Sequence, residues 1–154
     1  MKKVIIFIPS IEDGGVEKNL FSISNYLKKK KLKVEILSCD YHMKKKFLKG
    51  INFIGTKNKF WFNKSRKIKY FIFLLILFFK FFLIKKKPLI FAFQANIFAI
   101  LIAKVLNLKI ITRSNSAPVG WLKSEIKKVL YKFLIHLADD VMVNSLEFKR
   151  SFKK

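Results

Sequence analysis

Two adjacent glycines, Gly14 and Gly15, stand where an apolar run, Val4 to Ile8, gives way to a segment with helical spacing. Glycines at such a turn let the backbone approach a ligand closely, and the N–H groups and positive end of the following helix suit a phosphate. The pair lacks the GxGxxG order of a dinucleotide fold and the GxxxxGK of a P-loop, so a plain turn competes with that reading. The pair belongs to a polar loop, Ser10 to Gly15, and three more polar clusters close apolar runs: Gln94 to Asn96, Arg113 to Pro118, and Asn144 to Glu147. In the second, Arg113, Ser114 and Asn115 have the side chains to hold a hydroxyl or a phosphate, and a polar turn ahead of Trp121 explains them equally well. Asn96 reads first as a helix cap. Asn144 with Glu147 three positions on has the form of a capping box, which leaves a ligand role for Asn144, Ser145 and Glu147 as the lesser reading. His42 and His136 fall in a loop and in a helix, as solvated or structural residues. No residue stands out as a catalytic base.

The elements that must position these clusters alternate. Val4 to Ile8 is a strand, and Val16, Leu20, Ile23 and Leu27 mark a helix after it, with Glu17 near its positive end. Val34 to Leu37 is a second strand and Ile51 to Ile54 a short third, with a lysine-rich surface loop between them. Arg66 to Lys86 is a long helix, stopped before Pro88. Leu89 to Phe93 is a strand, Asn96 to about Leu106 a helix, and Ile110 to Thr112 a strand. Leu122, Ile126, Val129, Phe133 and Leu137 mark the next helix, and Val141 to Val143 is a last strand. Strands that are solid apolar runs, alternating with helices throughout, predict an α/β fold: a Rossmann-like parallel sheet with helices on both faces. Ligands of such sheets gather beyond the C-terminal ends of the strands, where all four polar clusters fall. The length of 154 residues fits one domain with a buried core.

Charge and hydropathy bound the partners. A hydrophobic fraction of 52% excludes a disordered chain, and a formal charge of +24 favours anionic partners, such as acidic lipid headgroups or a phosphorylated substrate. Lysine clusters at 28–31, 44–46 and 85–87 sit where elements end, facing water. A compositional bias toward Lys, Ile, Phe and Asn explains much of the charge equally well. Basic residues dispersed over many element ends, without a recognised motif, argue against a nucleic-acid partner. The single cysteine, Cys39, excludes an internal disulfide and a multi-cysteine metal site, and no metal is expected. Pro9 and Glu12 end the first apolar run too early for a secretory segment, so the expected setting is the cytoplasm. Ile68 to Ile84 is apolar apart from Lys69 and Lys80 and lacks the polar face of an ordinary surface helix. Three readings fit it: a peripheral helix on the inner face of an anionic membrane, a buried crossover helix, or, least well because of its length, a span.

The segment IPSIEDGGVEKNLFSISNYL, with Asp13, Gly14, Gly15, Val16, Glu17 and Lys18, resembles the opening of glycosyltransferase family 4, of the GT-B fold. ADDVMVNSLEFKRSF, with Ala138, Asp139, Asn144, Ser145 and Glu147, is similar to a later segment of these enzymes. LIFAFQANIFAILIAKVLNLKIITRSNSAP has the length and order of the strand, helix, strand and polar loop between them. The resemblance spans essentially the whole chain and implies the N-terminal, acceptor-side half of the fold. It implies retaining transfer of a sugar from a nucleotide-diphosphate donor, a co-substrate rather than a cofactor, to an acceptor hydroxyl. Lipid-linked acceptors of cell-surface polysaccharide or lipopolysaccharide synthesis are among those implied.

The same resemblance places the donor diphosphate against Gly14 and Gly15, and the acceptor against Glu17, Gln94, Arg113, Ser114 and Asn115. The family binds the nucleotide-sugar through a C-terminal domain that has no counterpart in these residues, so the expectation is a truncated or split transferase, inactive without a partner domain. An orphan domain, or a membrane-surface subunit without catalysis of its own, is the alternative. A nicotinamide-dependent oxidoreductase, with Asp40 as the ribose acceptor, is a further one, disfavoured by the missing GxGxxG.

Overall fold

Among the described residues every strand pairs with its neighbours in parallel, and the six lie in the order β3-β2-β1-β4-β5-β6. The computed structural model describes residues 3–12, 14–55, 57–114, 124–143 and 149. The strands are β1 (Lys3–Phe7), β2 (Lys33–Leu37), β3 (Asn52–Ile54), β4 (Leu89–Ala92), β5 (Ile110–Ser114) and β6 (Asp140–Val143). The helices are α1 (Gly15–Lys29), α2 (Arg66–Phe82), α3 (Asn96–Val105) and α4 (Glu125–His136). This is the doubly wound, Rossmann-like arrangement expected from the solid apolar runs.

Side-chain alternation sends the inner strands to two cores. Ile5, Phe7, Ile90, Ala92 and Ile110 face α2, α3 and α4, where Phe73, Leu77, Phe81, Ala99, Ile100, Ala103 and Ile135 meet them. Val4, Ile6, Ile8, Phe91 and Phe93 face the other way, toward Leu20 of α1 and Met43 and Phe47 after β2. The lysine-rich segment after β2 is ordered as a 3₁₀ helix, Tyr41–Lys46, because Met43 and Phe47 anchor it while Lys44, Lys45 and Lys46 stay exposed.

Two sequence expectations are corrected. α2 ends at Phe82, short of Lys86; Ile84 then packs against the core, and Lys87 Nζ donates to Leu106 O, 2.8 Å away, at the end of α3. Asn96 is no cap. Ala95 takes a left-handed conformation (φ 51°) at the cap position, so Asn96 is already helical, and its Nδ2 donates to Arg113 O at 2.8 Å. α4 forms where the apolar spacing marked a helix, with Ile126, Val129 and Phe133 exposed and Ile135 buried. Their spacing identified an apolar face, and spacing does not say which side of a helix the sheet covers. Leu122 lies outside the described residues.

α2 is the crossover from β3 to β4 and buries Lys69, Phe73, Leu77 and Phe81 at intervals of four. Among the described residues, no helix is long and apolar enough to cross a membrane.

Candidate functional site

β1 and β4 are neighbours, yet the chain leaves β1 for α1 on one face of the sheet and leaves β4 for α3 on the other. The divergence opens a crevice beyond the strand ends, the position at which doubly wound sheets hold ligands. Here it is a cleft of about 740 Å³ lined by Gly14, Gly15, Glu17, Gln94, Arg113 and Ser114 among others. All six of these were singled out in the sequence, from three separate loops. Asn115, Asn144, Ser145 and Glu147 lie outside the described residues, as does Asp13.

The floor of the cleft is tied together by side chains reaching across strands. Ser10 N donates to Gln94 Oε1 at 3.1 Å, which joins the loop after β1 to the loop after β4. Asn96 then fastens the start of α3 to the end of β5 through Arg113 O. Gln94 therefore spends its carbonyl on the scaffold and keeps its amide NH2 as the donor it brings to the cleft. Ala95 lines the cleft in its left-handed conformation, a backbone state costly for a residue with a Cβ and held here by the bonds on either side.

The two glycines differ. Gly14 has an extended backbone open to any residue (φ -160°), but a Cβ there would stand 3.0 Å from Glu17 Oε2. A Cβ on Gly15 would meet nothing within 4 Å. Space over Gly15 is thus left by the fold, at the positive end of α1.

Charge in the cleft is balanced. Glu17 is buried, accepts a bond from Glu12 N at 3.3 Å, and its negative charge favours the charged form of Arg113. Burial pulls the Arg113 guanidinium below its usual value, yet arginine remains cationic at neutral pH, and this one lies over the Phe93 ring, 5.6 Å from its centroid. Glu12 and Arg66 form a two-pronged pair at the rim, with Arg66 Nε 2.9 Å from Glu12 Oε1 and the second prong joining the Arg66 terminal nitrogen to Glu12 Oε2. Hydrogen bonding to Arg66 holds the Glu12 carboxyl below its usual range and raises Arg66. Two carboxylates thus face two guanidinium groups. Tyr70, its phenol raised by burial, and Tyr131, whose Oη is 3.5 Å from Ser114 Oγ, complete the polar wall.

Sequence reasoning missed Arg66, Tyr70 and Tyr131, and it included Glu12 within the loop Ser10 to Gly15 without giving it a role. Arg66 and Tyr70 open a helix whose apolar composition draws the eye to lipid, and their spacing of four, one turn, was the available signal. Tyr131 sits in an α4 whose apolar spacing pointed outward.

Asp40, the residue a nicotinamide reading would place on a ribose, is engaged on both oxygens: Oδ1 with Lys69 Nζ at 2.8 Å and Oδ2 with Ile11 N at 2.7 Å. That alternative loses its recognition residue. Asp139, one of the residues carrying the family resemblance, has a structural task, since its Oδ2 accepts from Ile110 N at 2.8 Å and Lys104 Nζ at 3.0 Å. His42 and His136 are both exposed and away from the cleft, and no group of His, Cys, Asp and Glu suited to a metal occurs among the described residues. No protein-family model matches the chain, and no curated protein matches it.

Proposed function

We propose that this chain is the acceptor-side domain of a nucleotide-sugar-dependent glycosyltransferase resembling family 4. The observation that carries the reading is the cleft at the β1/β4 switch point, where Gly14, Gly15, Glu17, Gln94, Arg113 and Ser114 meet. Its chemistry favours a hydroxyl-rich, uncharged ligand. Carboxylates accept from hydroxyls, Arg113 and the Gln94 amide donate to them, and Glu12 and Glu17 balance Arg66 and Arg113, so the charged side chains of the cleft wall leave no excess cation dedicated to a polyanion. A diphosphate would reach this wall only at Gly15, where the backbone and the end of α1 are bare of side chains. Its remaining charge would be met by a donor-binding domain, because one wall of a cleft does not bring two substrates together.

One observation favours the alternative of a domain without catalysis of its own: Glu12 and Glu17 are both committed to internal bonds, so neither is poised to take a proton from an acceptor.

Saturation-transfer NMR on the whole chain with free saccharides, nucleoside diphosphates, a nicotinamide dinucleotide and a short oligonucleotide tests the reading. The expected result is saccharide binding that shifts the backbone amides of Gly14, Gly15 and Gln94. Dinucleotide or oligonucleotide binding in the cleft, with no saccharide bound, would overturn it.

A further inference from the structure

From the outward face shared by α2, α3 and α4, we infer a docking surface for an anionic lipid bilayer, on which the three helices lie flat. The three are adjacent on one side of the sheet, α2 against α3 and α3 against α4. Each buries one stripe and leaves a second, opposite stripe of large apolar side chains in water. On α2 this is Phe71, Leu75, Phe79 and Phe82; on α3, Phe98, Leu101 and Val105; on α4, Ile126, Val129, Leu130 and Phe133. Phe79 is 71% exposed, Ile126 81% and Phe133 63%. Scattered apolar residues on a surface need no explanation, but three neighbouring helices each with an apolar outer ridge make a patch that calls for an occupant.

Charge selects the occupant. The three helices carry one acidic residue, Glu125, and it is paired with Lys128 Nζ at 2.6 Å. Lys67, Lys80 and Lys127 stand exposed on the same helices, and Lys85 and Lys86 follow soon after α2. An apolar ridge rimmed by lysines matches a bilayer whose acyl region takes the rings and whose phosphates take the ammonium groups. A second copy of this chain would set lysine rim against lysine rim in a molecule of formal charge +24.

The placement has a consequence for the cleft. Helices that return antiparallel to the strands put their N-terminal ends at the cleft, and Phe98 belongs to both surfaces: it lines the cleft and is 62% exposed on α3. A bilayer under α2, α3 and α4 would therefore meet the rim of the cleft. The surface stands on its own observations, whether or not the cleft handles a sugar.

The test is co-sedimentation of the whole chain with vesicles of phosphatidylcholine alone and of equimolar phosphatidylcholine and phosphatidylglycerol, at low and high salt. Binding to the anionic vesicles, weakened by salt, is expected, with Phe79→Ser on α2 and Phe133→Ser on α4 each lowering partition about tenfold or more. Both side chains are mostly exposed, so the fold does not depend on them. An acyl-chain photoprobe in the same vesicles labels α2, α3 and α4 of the unaltered chain and spares α1. Binding that neither substitution changes would be lysine adsorption alone and overturns the surface. So do labelling of α1, or failure to bind vesicles while the chain self-associates or takes up an acidic protein through Phe79 and Phe133.

Discussion

Lys69 Nζ lies 2.8 Å from Asp40 Oδ1, and both side chains are closed off from water although Lys69 belongs to an otherwise apolar stretch of α2. The second oxygen of Asp40 takes the Ile11 N–H, so one carboxylate fastens α2 and the loop after β1 to the end of β2. Lys69 marks the face of α2 that turns toward the sheet, and the phenylalanines of the opposite face are left outside.

Removing one member of a buried pair costs more than the pair contributes, because its partner stays buried and uncompensated. Lys69→Met is expected to destabilise the fold by about 3–5 kcal/mol. The double change Lys69→Met, Asp40→Asn keeps an oxygen for Ile11 N and removes the stranded charge, so it should recover a large part of that loss. Denaturant melts of the three proteins check this. A double variant as unstable as Lys69→Met would show that the ion pair is not what the helix depends on.

Gly15 separates folding from binding. A Cβ at this position meets nothing within 4 Å, and alanine favours a helix over glycine, so Gly15→Ala should leave stability unchanged or raise it by about 0.5 kcal/mol. The same methyl group would project into the space over the positive end of α1. A ligand that approaches the backbone there should bind at least about tenfold more weakly. Equal affinity in the variant would remove Gly15 from the site.

How much of this was legible in the sequence depends on where each signal lives. Val4 to Ile8 and Leu89 to Phe93, β-branched and aromatic runs closed by polar residues, read as buried strands because a parallel sheet covers both of their faces. The strand ends then gave Gly14, Gly15, Gln94, Arg113 and Ser114 as cleft residues without further information. What escaped was the side of each helix. Arg66, Tyr70 and Tyr131 enter the cleft through tertiary placement, and the spacing of Ile126, Val129 and Phe133 marked a helix without saying that this face turns outward. Asn96 was misassigned for a related reason: a left-handed Ala95 has no sequence signature, since alanine rarely takes that conformation.

Gly55 closes β3 against the backbone of β2. A Cβ there would stand 2.1 Å from Ser38 O, an atom fixed by the sheet and unable to yield as a flexible side chain would. Gly55→Ala should therefore cost about 1–3 kcal/mol through displaced backbone. The distance of Gly55 from the cleft lining predicts unaltered saccharide affinity in whatever fraction remains folded. A thermal melt matching that of the unaltered chain would refute the contact.

Asp139 links stability to pH. The hydrogen bond from Ile110 N, supported by Lys104, holds its carboxyl below the usual aspartate value in the folded chain, while burial opposes them. A carboxyl whose folded value is depressed binds its proton more readily in the unfolded chain. Its contribution is fully present above the unfolded value of about 4 and is lost as pH falls through the lower folded value. Because the side chain is 39% exposed, solvent screening keeps the ionic part small, about 0.5 kcal/mol. Asp139→Asn retains an acceptor for Ile110 N and loses the charge. The unaltered chain should thus exceed the variant in stability at neutral pH by that small margin, and the two should converge as the solution is acidified below the aspartate range. Urea melts across that range decide the matter: a gap that persists in acid would mean that Asp139 acts through shape and hydrogen bonding alone, with no part played by its charge on Lys104.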